Sequence, residues 1–176
     1  MAETNISTKK VIVKYGLTMG VLWVIYGITR HFSHYDETIG NWLFSTIEIS
    51  IYISLIIYAI YSYKVLNGGF LGLSKAIKIG IGIALIGGIM TFVWNITLYK
   101  IIEPNMLNQI LEIKREEMIA SNPDKSQEQI VKSMEIAKKY SSPYLISLIM
   151  LASNLFLGFL ISLLGGAIMQ KQRNPF

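Results

Sequence analysis

The chain contains no cysteine, and this absence removes several kinds of chemistry at once. Without cysteine there are no disulfide bonds, no thiolate metal ligands and no cysteine nucleophile. Charged residues are also scarce: they make up 15% of the 176 residues, whereas a soluble domain carries about 25%. Apolar residues reach 52%. No soluble core needs this much apolar sequence, so the composition predicts an integral membrane protein.

Sequence signatures of catalysis are missing as well. The serines lack the G-x-S-x-G context of a nucleophile, and the glycines of segment 64–78 lack the Gly-Lys-Ser/Thr arrangement of a phosphate-binding loop. His31 and His34 lie near Asp36 and Glu37, a set that could bind zinc. Short loops at a membrane surface carry such residues without a metal far more often. We therefore expect no enzyme activity, no cofactor and no metal site.

What the chain does have is four long apolar runs. They cover about residues 11–29, 42–63, 79–99 and 144–169. About 20 helical residues are enough to cross a hydrocarbon core of about 30 Å. The sequence therefore predicts an all-α integral membrane protein with four transmembrane helices in a bundle, forming a single membrane domain over residues 1–176.

A charged insert, residues 100–143, separates the third run from the fourth. Each half of it repeats apolar residues at three- and four-residue spacing, which predicts two amphipathic helices and hence an extramembrane helical hairpin. The residues that carry this pattern are Met106, Leu107, Ile110, Leu111 and Met118, then Ile130, Val131, Met134 and Ala137. Asn122 and Pro123 are the expected start of the second helix. The apolar faces could meet each other, the membrane surface or a partner.

Basic residues outside the insert gather at the ends of the runs. Segments 1–14, 64–78 and 170–176 hold eight Lys/Arg and one acid, Glu3. Four spans put these segments on one side, and basic residues mark the cytoplasmic side. At span ends they also meet anionic headgroups of the lipid bilayer, so we do not expect nucleic acid as a partner. We expect a multi-pass protein of the bacterial inner membrane with cytoplasmic termini and a periplasmic insert.

Small residues at four-residue spacing form stripes in three of the four runs. Such stripes let two helices approach closely inside a membrane. They predict packing among the four helices or, alternatively, a seam in a homo-oligomer. The stripes consist of Gly16 and Gly20, of Gly80, Ala84 and Gly88, and of Gly158, Ser162 and Gly166.

Glu48 is the only acid inside an apolar run. It lies about 9 Å below the outer boundary by helical rise, and an ionisable residue at such depth is a functional hypothesis by default. Asn95 and Asn154 lie at similar or somewhat greater depth, so these three residues form a candidate polar layer. Glu48 could be a neutral clasp, since burial disfavours the charged form. It could also serve an ion, a proton or a substrate, or face the lipid.

Several motifs resemble a known family. The Gly68-Gly69-Phe70 turn with Leu71–Ala76 after it, Ile102-Glu103-Pro104, Ser142-Pro143 and the tail Lys171–Phe176 are similar in order and spacing to DUF4199, an uncharacterised membrane family found mainly in Bacteroidetes. The resemblance covers the whole chain and implies four spans in the inner membrane. It implies no activity, ligand or residue role.

The sequence favours a structural or accessory subunit that binds other membrane proteins. This hypothesis depends on the small-residue stripes, the amphipathic insert and the missing catalytic groups. The alternative is a small transporter or an ion- or proton-responsive membrane protein that uses Glu48. The chain lacks the internal repeat and paired broken helices of many transporters.

Overall fold

The structure is a computed structural model that describes residues 7–32, 37–122 and 125–172, with the backbone alone for residues 37–44. Within these ranges it is all-helical, as the sequence predicts. The helices are α1 Thr8–Phe32, α2 Glu37–Leu66, α3 Leu73–Thr97, α4 Met106–Ser121, α5 Gln127–Tyr140 and α6 Pro143–Met169. A π-helical turn, Leu98–Ile102, continues α3.

Four helical segments of the described chain are long and apolar enough to cross a membrane. They are Thr8–Phe32, Ser45–Leu66, Leu73–Ile102 and Pro143–Met169. Each predicted apolar run lies inside one continuous helical segment, the third including the π-helical turn after α3, which confirms the prediction of four long apolar helices. The helices extend beyond the runs because polar residues at a span end, such as Lys9, are compatible with helical backbone.

The chain forms two compact units. The span unit comprises Met1–Thr91 and Leu151–Phe176, and the insert unit comprises Phe92–Met150. The span unit contains α1, α2, most of α3 and most of α6. The insert unit contains the end of α3, the π-helical turn, α4, α5 and the first turns of α6.

In the span unit, α1 and α3 pack through glycines on both helices. A Cβ atom on Gly16 would lie 2.7 Å from the Cβ of Ile86, and a Cβ on Gly20 would overlap Met90. In return, a Cβ on Gly82 of α3 would lie 2.7 Å from Ile12. Large side chains of each helix therefore occupy the space above glycines of the other.

The stripes of α3 and α6 face each other in the same unit. Gly80 meets Ser162, a Cβ on Gly158 would lie 2.6 Å from the Cβ of Ala84, and Gly166 faces Ala76. Such contacts require the two backbones to approach closely, which is how small residues stabilise helix pairs in a membrane. The stripes of α1, α3 and α6 are thus covered by helices of the same chain.

The second span packs differently, through bulky residues. Ile56 and Ile60 of α2 are fully buried, and Ile57 occupies the space above Gly165 of α6. Tyr15 of α1 donates a hydrogen bond from its hydroxyl to Ser62 Oγ at 3.1 Å. α2 therefore joins both neighbours without a glycine stripe of its own.

A glycine turn ends α2 and meets the chain that follows α6. The Gly69 N–H donates to the Lys64 carbonyl at 2.8 Å and the Gly68 N–H to the Val65 carbonyl at 3.2 Å, a Schellman motif that requires positive φ. The φ angles of Gly68 and Gly69 are 68° and 84°. Leu71 and Lys171 then exchange two backbone hydrogen bonds of 2.9 Å. Two of the motifs that carry the resemblance therefore meet in space.

In the insert unit, α4 and α5 contact each other, and each buries one large apolar residue, Leu111 and Ile130. The predicted cap at Asn122 is wrong. Ser126 caps α5 in a capping box, in which its hydroxyl accepts from the Gln129 N–H at 3.3 Å and Gln129 Oε1 accepts from the Ser126 N–H at 3.2 Å. This reciprocal pair satisfies two donors at the helix start. Asn122 instead follows the end of α4, and Pro123 lies outside the described residues.

Candidate functional site

Tyr52 links α2 to α6 one helical turn below Glu48. Its side chain is 3% exposed, and its hydroxyl donates to the backbone carbonyl of Asn154 at 2.8 Å. A Cβ atom on Gly158 would lie 3.4 Å from this hydroxyl, so the glycine leaves room for it. This hydrogen bond links the second span to the fourth at Asn154, from a residue one turn along α2 from Glu48.

An aromatic cluster joins α1 to α2 at Tyr52. The rings of Trp23 and Tyr52 stack with centroids 6.2 Å apart and an interplanar angle of 11°. Tyr26 meets Trp23 edge-on at 5.9 Å. Stacked and edge-on pairs stabilise packing beyond the area they bury, so this cluster holds α1 and α2 in register.

Glu48 lies among groups that sequence reasoning missed. It is half-buried and within electrostatic range of the Arg30 guanidinium and the Tyr26 hydroxyl. The Tyr26 hydroxyl is buried, and it has no hydrogen-bond partner in the part of the chain described. A buried polar group without a partner is costly, so this donor could be satisfied by a polar ligand. In the sequence, the i, i+4 spacing of Tyr26 and Arg30 indicates that both residues lie on one face of the first span.

Asn95, the third member of the predicted layer, belongs to the insert unit. Its side chain is 9% exposed, and its Nδ2 lies 3.3 Å from Met150 Sδ. A thioether is a weak acceptor, so this bond satisfies the amide only in part. The polar layer of Glu48, Asn95 and Asn154 as a whole stays a prediction.

The metal hypothesis involves residues that the structure describes only in part. Among the described residues, no group of three or more His, Asp or Glu side chains could hold a metal ion. His34 and Asp36 lie outside the described residues. The ring of His31 contacts Phe32, with centroids 5.1 Å apart.

Exposed apolar side chains on α4 and α5 are the second feature with functional potential. Five large apolar or aromatic side chains there are between 44% and 57% exposed, namely Ile113, Ile119, Val131, Ile136 and Tyr140. These residues lie outside the four membrane-spanning segments. Apolar surface that is exposed to water is unfavourable, so side chains at these positions favour burial against another surface.

The base of the insert is held by contacts within its own unit. Lys100 of the π-helical turn donates to the hydroxyl of Tyr144 at 2.9 Å, and its Nζ lies 4.3 Å from the centre of that ring. Residues 103–105 connect the π-helical turn to α4, and residues 141–142 connect α5 to α6. These short connections keep the start of α4 and the end of α5 close to the ends of the third and fourth spans.

Comparison with known proteins gives a family without a function. A family model described as "Protein of unknown function (DUF4199)" matches residues 14–171, which confirms the resemblance seen in the motifs. No curated protein matches the chain, and no solved structure matches it.

Proposed function

We propose that this chain, which belongs to the DUF4199 family of proteins of unknown function, is a structural or accessory subunit that binds other membrane proteins. The observation that carries this proposal is the set of exposed apolar side chains on α4 and α5, outside the candidate spans. Full burial of a large apolar side chain stabilises by about 1.5–3 kcal/mol. Five half-exposed side chains therefore leave several kcal/mol available to a partner.

The short connections at the base of the insert indicate what kind of partner this is. Three residues precede α4 and two follow α5, and an extended residue spans at most about 3.6 Å. The start of α4 and the end of α5 thus stay within about 11 Å of the ends of the third and fourth spans. A partner that covers the apolar side chains near these ends lies close to the membrane surface, as another membrane protein does.

The arrangement in the membrane is part of the proposal. The four spans form a bundle in the bacterial inner membrane, with both termini cytoplasmic and the insert periplasmic. The glycine contacts between α1, α3 and α6 support the bundle, and the lysines at the ends of the spans support the orientation. A homo-oligomer would use a surface other than the three small-residue stripes, because helices of the same chain cover them. We propose no enzymatic activity.

Co-purification with surface variants tests the docking function. The tagged full-length chain is crosslinked in native membranes, isolated in mild detergent and compared with Val131→Ser/Ile136→Ser by mass spectrometry. Because both side chains are exposed, we expect the fold to tolerate the change and a specific partner to be lost. The matched control is Glu128→Ser/Glu135→Ser on the same helix, which should retain that partner. Isolation of the chain alone, or equal recovery with both variants, would contradict the proposal.

The buried Tyr26 hydroxyl beside Glu48 favours a second candidate function. An unsatisfied donor near a carboxylate inside a span is suited to an ion- or proton-responsive protein or a small transporter. Flux of protons or sodium into proteoliposomes tests it, with Glu48→Gln as the variant and Glu117→Gln in the exposed part of α4 as control. Flux that is lost only with Glu48→Gln would favour this function. Flux equal to that of empty liposomes would exclude it for these ions.

A further inference from the structure

One end of the span unit is basic and carries no described acid. The two described acids of the unit, Glu37 and Glu48, both lie in the first half of α2. The basic end comprises the start of α1, the end of α2, the start of α3 and the chain after α6. Its lysines are Lys9, Lys10, Lys14, Lys64, Lys75, Lys78 and Lys171.

Backbone contacts bring three of these lysines to one turn. The carbonyl of Lys64 accepts the Gly69 N–H at 2.8 Å, and the Lys75 N–H donates to the Gly72 carbonyl at 3.0 Å. Lys171 is paired with Leu71, at the centre of this turn, by two backbone hydrogen bonds. The Nζ of Lys171 also lies 5.9 Å from the centre of the Phe70 ring. The backbones of three lysines from separate parts of the sequence thus meet at one short loop.

The start of α3 adds to the positive potential at this loop. The first N–H groups of a helix carry partial positive charge and favour anions. α3 begins at Leu73 and has no acidic residue in its first turn. Lys75 stands in this first turn, where an acid would normally offset that charge, and Lys78 follows in the second turn, so the end of the unit has a net attraction for anions.

Exposed apolar side chains lie beside the same lysines. Ile168 and Leu164 of α6 are 85% and 66% exposed, and they precede Lys171 by one and two turns. Val65 and Leu66 follow Lys64 directly and are also exposed. An apolar strip that ends in cations matches a lipid, whose acyl chains would lie along α6 while its phosphate meets the lysines. A soluble anion would use only the cations.

We propose that Lys64, Lys75 and Lys171 bind the phosphate groups of anionic lipids and thereby hold the chain after α6 against the α2–α3 turn. The phosphate reduces the mutual repulsion of the three cations, which the Leu71–Lys171 pairing brings together. Each lysine near an anionic surface increases binding by about fivefold, so three increase it by about a hundredfold.

Native mass spectrometry of the purified full-length chain tests this site. The chain is titrated with phosphatidylglycerol and with phosphatidylcholine of the same acyl chains, and the triple variant Lys64→Gln/Lys75→Gln/Lys171→Gln is compared with wild type. We expect wild type to prefer phosphatidylglycerol, and the triple variant to lose about a hundredfold in affinity for it. The orientation in a membrane plays no role in this measurement.

The control variant removes three positive charges from the insert instead of from the α2–α3 turn. Lys114, Lys132 and Lys139 of the insert are exposed, and their replacement by Gln should leave phosphatidylglycerol binding unchanged. An equal loss with the control would reduce the effect to net charge and overturn the proposal, as would a triple variant that binds like wild type. Competition by millimolar inorganic phosphate identifies the source of the anion: retention of the lipid supports the proposal, and full displacement overturns it.

Discussion

The substitution Gly158→Ala, which adds one methyl group, tests how closely α3 and α6 approach each other. In Gly158→Ala the added Cβ would lie 2.6 Å from the Cβ of Ala84 and 3.3 Å from the carbonyl oxygen of Gly80. Carbon atoms pack best at about 3.5–4.0 Å, so the helices must separate by about 1 Å. Neither neighbour is the end of a flexible side chain, and neither can move without its backbone.

Two opposing effects decide the sign of this change. Alanine is a better helix former than glycine by about 1 kcal/mol, whereas overpacking costs about 1–3 kcal/mol. Since the contacts of Gly158 involve backbone, we expect the upper end of that range and a net loss of about 2 kcal/mol. For a chain of this size, the melting temperature should fall by about 4–8 °C.

Thermal unfolding in detergent, followed by circular dichroism, is the measurement. Gly72→Ala is the matched control, because a Cβ at Gly72 has no heavy atom within 4 Å. The double variant Gly158→Ala/Ala84→Gly exchanges the two small residues across the contact and should recover about half of the loss or more. If Gly158→Ala is as stable as Gly72→Ala, or if Ala84→Gly restores nothing, the close approach of the two helices is refuted.

Three smaller changes test the site and the corrected cap by the same assay. Tyr52→Phe removes the hydrogen bond to Asn154 but keeps the stack on Trp23, so it should cost about 0.6–1.5 kcal/mol, while Tyr58→Phe on the exposed face of α2 should cost almost nothing. Tyr26→Phe removes a buried hydroxyl without a described partner and should be neutral or stabilising by about 1 kcal/mol; a large loss would mean that the hydroxyl is satisfied. Ser126→Ala should reduce the helicity of the insert and cost about 1 kcal/mol, and an equal effect of Asn122→Ala would contradict the capping box.

The sequence was sufficient to predict the four long helices, because hydrophobic length is a property of the chain alone. The run at 144–169 corresponds to α6, which begins at Pro143, where proline suits the first helical position. Helix α5 shows where local signals compete. Asn122 and Ser126 both lie before the second amphipathic pattern, and only the reciprocal bond with Gln129 distinguishes them. The Ser-x-x-Gln pattern was visible in the sequence and is the stronger signal.

The candidate site could be predicted only in part, because side-chain partners depend on helix rotation. Depth along a span placed Asn154 somewhat deeper than Glu48, but depth says nothing about which face each residue occupies. The structure shows that Tyr52, not Glu48, reaches Asn154, through the backbone carbonyl, a contact that no spacing rule identifies. Arg30 lies just beyond the predicted apolar run 11–29, yet it belongs to the last turn of α1, within electrostatic range of Glu48.

The small-residue stripes explain why we place protein binding on the insert rather than within the membrane. Spacing predicts a surface for close approach but not the helix that covers it. In the structure, Gly16 and Gly20 of α1 are covered by α3, and Gly158 of α6 faces Ala84. The surfaces of the spans that remain exposed carry large side chains such as Val93 and Phe156, which keep a second helix at a distance and offer no hydrophobic gain over lipid. Exposed apolar residues of α4 and α5 lie outside the candidate spans, and under the proposed function a protein partner covers them.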